Sequence, residues 1–139
     1  NYLGRLSGPL LDRLDIQVEV PTLKYQELSD EQEKSESSRE IRRRVNNARA
    51  IQQKRFSGKG IYCNAQMSHA MIKKYCHLGD EETALLSDAY LKLNLTVRAH
   101  NRILKVARTI ADLESAKNIN TIHIAEAIQY RAFDRSLFR

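Results

Sequence analysis

From Ser37 onward the chain is a succession of helix starts, and that punctuation limits the fold more than any other feature. Ser37-Ser38-Arg39-Glu40 reads as a capping box, the serine hydroxyl bonding forward and the glutamate bonding back. Ser68, Asp80, Thr96 and Thr121 each precede an amphipathic run and each can cap it. The spacing predicts helices from Ser37 to about Arg55, Ser68 to His77, Asp80 to Leu93, Thr96 to Ala116, and from Thr121 toward the C-terminus. The first carries the apolar stripe Ile41, Val45, Ala48 and Ile51. Ala84, Leu85, Ala89 and Leu91 supply the third. The Thr96 helix has the broadest face: Ile103, Leu104, Ala107, Ile110, Ala111 and Leu113. Ile124, Ala127, Ile128 and Phe133 are expected to close the core. The fold class read from this pattern is all-α, an antiparallel-leaning bundle of about five helices.

Two stretches depart from it. Ile16-Gln17-Val18-Glu19-Val20 alternates like a strand, and Pro21 ends it. No later stretch offers a partner, so an orphan edge strand, detached from a sheet upstream, is expected. Before it, Ser7-Gly8-Pro9-Leu10-Leu11-Asp12-Arg13-Leu14-Asp15 reads as a short helix, capped by Ser7 with Pro9 in its first turn. It sets Arg13 at a defined place on a protein edge, or beside Asp12 and Asp15 as an ordinary surface pair. Between strand and bundle lies a polar linker, 22–36; from Glu27 to Glu36 its acidic residues Glu27, Asp30, Glu31, Glu33 and Glu36 face one basic residue, Lys34.

A chain of 139 residues suits one domain, or a small domain with a piece of another. It begins with Asn1, almost directly in a motif, so a fragment of a longer protein is expected. No apolar run nears the ~20 residues of a membrane helix, and no signal peptide is visible. The net charge of +6 permits contact with phosphates without requiring it. Cys63 and Cys76 make no disulfide framework, and Cys76-His77 is poor geometry for a shared metal, so no metal site is expected. Free thiols suit a reducing cytoplasm. Gly58-Lys59 is not a Walker A loop. Gln53 stands where its first glycine belongs, and Gly60 where Ser or Thr should follow the lysine. His69, His77, His100 and His123 are scattered, and no paired carboxylates or Ser-His-Asp arrangement stands out.

Ser7–Asp15 nevertheless resembles the arginine-finger segment of magnesium-chelatase-like AAA+ ATPases. Two later motifs agree in order: Asn64-Ala65-Gln66-Met67-Ser68, and Arg98-Ala99-His100-Asn101-Arg102 through Leu113. The resemblance is greatest to the ComM/YifB-type branch, bacterial proteins linked to DNA uptake and recombination. It covers nearly the whole chain and is weakest over 22–35. It implies that 1–21 is the end of the ATPase core, 22–36 a linker, and 37–139 a helical C-terminal lid. It assigns Arg13 as the arginine finger and Arg98 as the sensor-2 arginine, with Arg5 a candidate interface contact. The parent would bind ATP and Mg²⁺, mainly outside this stretch. It would form a ring of its own copies, expected to be a hexamer, and act on DNA in the cytoplasm, touching no membrane. The stretch alone, without Walker A and Walker B, is expected to be inactive.

The charges offer other contacts. Arg98, Arg102 and Lys105 fall at i, i+4 and i+7 and share a helix face expected to be exposed. From Ser37 to Arg55, seven basic residues, among them Arg42, Arg43 and Arg49, face one acidic residue, Glu40. These faces can follow a phosphate backbone, dock an adjoining subunit, or simply be solvated. Two alternatives to the DNA motor remain: an ATPase driving magnesium insertion into a porphyrin, and a stand-alone basic helical DNA-binding module.

Overall fold

The computed structural model describes residues 13–18, 20–22 and 36–136, with side chains described as far as Arg131. Among them the regular elements are helical: α1 Ser38–Phe56, a 3₁₀ turn Asn64–Gln66, α2 His69–Tyr75, α3 Asp80–Lys92, α4 Val97–Leu113 and α5 Thr121–Ser136.

The expected caps at Ser37, Ser68 and Thr96 form. Their hydroxyls accept from the backbone N–H of Glu40, Met71 and Ala99 at 3.3, 3.3 and 3.1 Å. Ser37 and Glu40 make the full capping box, with the Ser37 N–H donating to Glu40 Oε2 at 3.0 Å. The two hydrogen bonds from Ser37 hold the Glu40 carboxyl below its ordinary range. Two starts shift by one residue. Gly79, not Asp80, precedes α3, and its N–H donates to Glu82 Oε2 at 3.0 Å. Asn120, not Thr121, caps α5: its amide oxygen accepts from the His123 N–H at 3.2 Å, and its own N–H donates to His123 Nδ1 at 3.0 Å. A histidine thus takes the place of the glutamate in a capping box. With Nδ1 accepting, the ring proton sits on Nε2 and meets Glu114 Oε2 at 2.8 Å.

The α1–3₁₀ connection turns at Gly58 and Gly60, both at φ near +70° (+72 and +71), where a side chain would strain the backbone. α4 is the centre of the bundle. It packs on α1, the 3₁₀ turn, α2 and α5, while α3 packs on α5. Its Ile103, Leu104, Ala107, Ile110 and Ala111 are buried with Phe56, Met67, Ile72, Leu86, Ile119, Ile124 and Ala127.

Some apolar expectations change. In α1 only the C-terminal half meets the core, through Ala48, Gln52 and Phe56; Ile41 and Val45 are exposed. In α3 Leu86 is the core residue, and Leu91 is 74% exposed. Phe133 has its side chain outside the described residues.

No strand occurs among the described residues of 16–20. Ile16, Val18 and Val20 are exposed, and the Gln17 N–H donates to the Tyr130 carbonyl of α5 at 3.0 Å. The alternation in this stretch finds no second strand among the described residues and bonds to the side of a helix instead. The short helix expected within Ser7–Asp15 lies largely outside the described residues; Arg13 itself is in a turn.

Candidate functional site

Along α4, residues 98, 102, 105, 109 and 112 recur at helical spacing and form one stripe. Its occupants change from a free cation at the N-terminus to a buried anion near the C-terminus. Arg98 lies in the first turn, exposed, with no hydrogen bond or ion pair among the described residues. The helix dipole disfavours a cation there, so intrahelical stability does not account for it.

One turn on, Arg102 Nη1 donates both to the Arg13 carbonyl and to Asp15 Oδ1. The Arg102 side chain is 20% exposed and that of Asp15 51%. Lys105 Nζ then donates to the Ala65 carbonyl at 2.8 Å. Thr109 Oγ1 accepts from Asn64 Nδ2 at 3.0 Å.

The stripe ends on Asp112, which is fully buried. Arg55 binds it in a fork, Nη1 to Oδ2 at 2.7 Å and Nη2 to Oδ1 at 2.5 Å. Asn64 Nδ2 donates to Oδ2 at 2.8 Å, and Arg108 Nε to Oδ1 at 3.2 Å. The Asn64 amide oxygen accepts from Arg55 Nη1 at 2.9 Å, and the Asn64 backbone N–H donates to Gln52 Oε1 at 3.1 Å. Arg108 also reaches the Ala116 and Lys117 carbonyls at 2.7 and 3.0 Å, which ties the loop after α4 back onto the helix. Every buried side-chain polar atom among the described residues has a partner. Burial lowers the Arg108 pKa, opposed chiefly by Asp112. Burial likewise pushes the neighbouring Cys76 thiol up to about 11, although Arg108 and Arg55 pull it down.

The three motifs therefore meet on one helix. Arg102 holds the Arg13–Asp15 turn, while Lys105, Thr109 and Asp112 hold the Asn64–Gln66 turn. The first turn is held from α5 as well, where Arg131 Nη1 donates to the Leu14 carbonyl at 2.8 Å.

Arg13 is exposed, and its side chain has no partner among the described residues. Its expected alternative partner, Asp15, is taken by Arg102. Arg5 lies outside the described residues. Arg42, Arg43 and Arg49 are exposed on α1; Arg49 borders a groove of about 640 Å³ with Val45, Tyr62 and Gln66. Arg102 and Lys105 correct the expectation of a uniform exposed face. Both are half-buried, because the Arg13–Asp15 and Asn64–Gln66 turns pack against that side of α4. The residues missed were Arg55, Asn64, Arg108, Asp112 and Arg131. Asn64, Arg108 and Asp112 lie inside the quoted motifs, whereas Arg55 and Arg131 lie outside them.

Chemically, the arrangement presents two exposed guanidiniums, Arg13 and Arg98. The backbone of the first is fastened one helical turn from the second. Such groups suit the oxygens of a phosphate and offer nothing to a metal ion.

The chain matches the family model described as magnesium chelatase, subunit ChlI C-terminal, over residues 35–131. It matches the model for magnesium chelatase, subunit ChlI, over residues 1–28. It is 45% identical over 136 residues to a protein named competence protein ComM in Haemophilus influenzae, a match covering 98% of this chain and 26% of that protein. It is 43% and 41% identical to the uncharacterized proteins YifB of Salmonella typhimurium and Escherichia coli, with the same coverage. The chain thus spans about a quarter (26%) of the length of these curated relatives.

Proposed function

The chain belongs to the magnesium chelatase subunit ChlI C-terminal family, and from that premise we propose that it is the C-terminal part of a ring-forming AAA+ ATPase. Residues 1–21 end the ATPase core, 22–36 link, and 37–139 form the helical lid. Arg13 is the arginine finger and Arg98 the sensor-2 arginine. The observation that carries this reading is the α4 stripe, in which Arg98 stands exposed one turn from the residue that grips the Arg13 turn.

Bound ATP supplies the transferable γ-phosphoryl group, and Mg²⁺ neutralises part of its charge. Arg13, reaching from the neighbouring subunit, lays its planar guanidinium against the oxygens on which charge gathers. Arg98 adds a second cation to the same phosphates. Because Arg102 fastens the Arg13 backbone to the helix that carries Arg98, both side chains address one nucleotide, that of the neighbour. The rest of the parent holds the nucleotide-binding loop.

The substrate of the parent is DNA, remodelled or branch-migrated in the cytoplasm during transformation or recombination. A relative named as a competence protein supports this, as do the exposed Arg42, Arg43 and Arg49. Among the described residues no helix is long and apolar enough to cross a membrane. A second reading, magnesium delivery to a porphyrin, rests on the family description alone.

The test is DNA-stimulated ATP turnover by the full-length parent. Arg13→Ala is expected to lower kcat by about 10³-fold or more, the range known for removed fingers. Arg98→Ala lowers it less. Wild-type turnover in either variant would remove that residue from the mechanism.

A further inference from the structure

We propose that Arg102 is a positioning residue for the arginine finger, and that Arg131 assists it. The inference rests on the assignment of Arg13 as the finger. Three consecutive residues of the finger turn are fastened to the bundle. The Arg13 carbonyl and the Asp15 carboxylate accept from Arg102 of α4. The Leu14 carbonyl accepts from Arg131 of α5 at 2.8 Å. Just beyond, the Gln17 N–H donates to the Tyr130 carbonyl at 3.0 Å.

These bonds grip the main chain and the Asp15 carboxylate and leave the Arg13 side chain exposed. A finger turn needs that division: a fixed backbone and a free guanidinium. Arg102 suits the task because its planar fork presents several donors to two acceptors at once. Arg131 is buried and holds the exposed Leu14 from the bundle side. Arg102 stands one turn from Arg98 and is itself fixed by an α4 that Lys105 and Asp112 tie to the Asn64–Gln66 turn. The finger, Arg98 and the helical domain therefore move together, and a shift of the lid carries both guanidiniums toward or away from the phosphates.

Misplacing a catalytic group by about 1 Å can cost ~100-fold in rate. In the full-length parent, Arg102→Ala is expected to lower kcat by roughly 10–100-fold, with the KM for ATP changed less than about twofold, because the variant spoils alignment rather than ground-state binding. Affinity for ADP with aluminium fluoride, which mimics the phosphoryl group in transfer, falls with kcat, while affinity for ADP alone is retained. Arg102→Lys restores part of both, because an ammonium can still donate to the carbonyl and the carboxylate. If Arg102→Ala does not assemble, Asp15→Ala removes one of the two acceptors at a half-exposed position and shows the same split in milder form.

Loss of the mimic's binding in Arg13→Ala and in Arg102→Ala together supports the positioning role. Loss in Arg13→Ala with wild-type binding in Arg102→Ala and Asp15→Ala overturns it while leaving the finger assignment standing. No loss in Arg13→Ala overturns the finger assignment itself. An Arg102→Ala ring that melts lower yet keeps wild-type kcat and mimic affinity marks Arg102 as structural only and also overturns the proposal.

Discussion

Replacing Asp112 by alanine removes a carboxylate that two guanidiniums, Arg55 and Arg108, share inside the bundle. The Arg108 side chain is 4% exposed and that of Arg55 14%, so neither can recover its hydration without opening the core. Arg108 would keep the Ala116 and Lys117 carbonyls, and Arg55 the Asn64 amide oxygen. Both would lose their counter-charge, and Asn64 would lose one of its two acceptors. Breaking a buried pair from one side costs about 3–5 kcal/mol, because an uncompensated charge remains behind. In a helical domain of this size each kcal/mol is worth ~4–8 °C, so the variant melts more than ~10 °C below the wild type. Urea unfolding of the 139-residue chain, followed by helical ellipticity, measures the loss directly. Asp112→Asn keeps the shape and one acceptor oxygen and should fall between. A loss for Asp112→Ala below about 1 kcal/mol, the range of solvent-exposed pairs, would show that water reaches Asp112 and would refute the buried hub.

Arg98→Ala should leave the unfolding free energy unchanged within about 0.5 kcal/mol, since the side chain is exposed, while lowering ATP turnover by the parent. A fall in both would make Arg98 a structural residue. Ser37→Ala should cost roughly 0.5–2 kcal/mol through the lost cap, and should let the Glu40 carboxyl titrate nearer its ordinary value. The sign is that of a depressed acid: the Glu40 contribution is present above the unfolded pKa and is lost as pH falls through the folded one. A carboxyl titration followed by NMR checks both halves. Cys76 titrates near 11 rather than 9.0, so folding favours the neutral thiol. Its contribution is whole below pH 9.0 and is lost as the pH rises through about 11. Cys76→Ala should flatten the stability curve in that window, and alkylation of the native chain near neutral pH should mark half-buried Cys63 before buried Cys76.

What the sequence made legible was local. Caps at Ser37, Ser68 and Thr96 depend on residues three apart, and the wide apolar face of α4 depends on a single period. Both are written in one window of sequence. Asn120 displaced Thr121 as a cap because a histidine can answer from the N3 position, a pairing the usual Ser/Thr…Glu pattern hides. The stripe Ile41–Ile51 was read as one face, but α1 meets the core only through its C-terminal half, from Ala48 on. Where a helix leaves the core is decided by its neighbours. The same holds for the alternation at 16–20, which needed a partner strand to become one.

The site divided along the same line. Arg13 and Arg98 were named through motif resemblance, and both are exposed. The grip of Arg102 on Asp15 spans 87 residues of sequence, and that of Arg55 on Asp112 spans 57. No periodicity marks such pairs. Spacing correctly placed Arg102 and Lys105 on the face of Arg98, but it could not show that two turns of chain would cover them.

The sharpest test of whether Arg13 and Arg98 act together on a neighbour's nucleotide is subunit mixing. Full-length Arg98→Ala protein, slowed but not dead, is combined with a parent unable to bind ATP, and turnover by the mixed rings is compared with that of Arg98→Ala alone. Activity should rise, because a nucleotide on the Arg98→Ala subunit meets an intact Arg98 and Arg13 from the subunit beside it. Mixed rings no faster than Arg98→Ala protein alone would mean that Arg98 serves its own subunit, and that the two guanidiniums of one chain address different nucleotides.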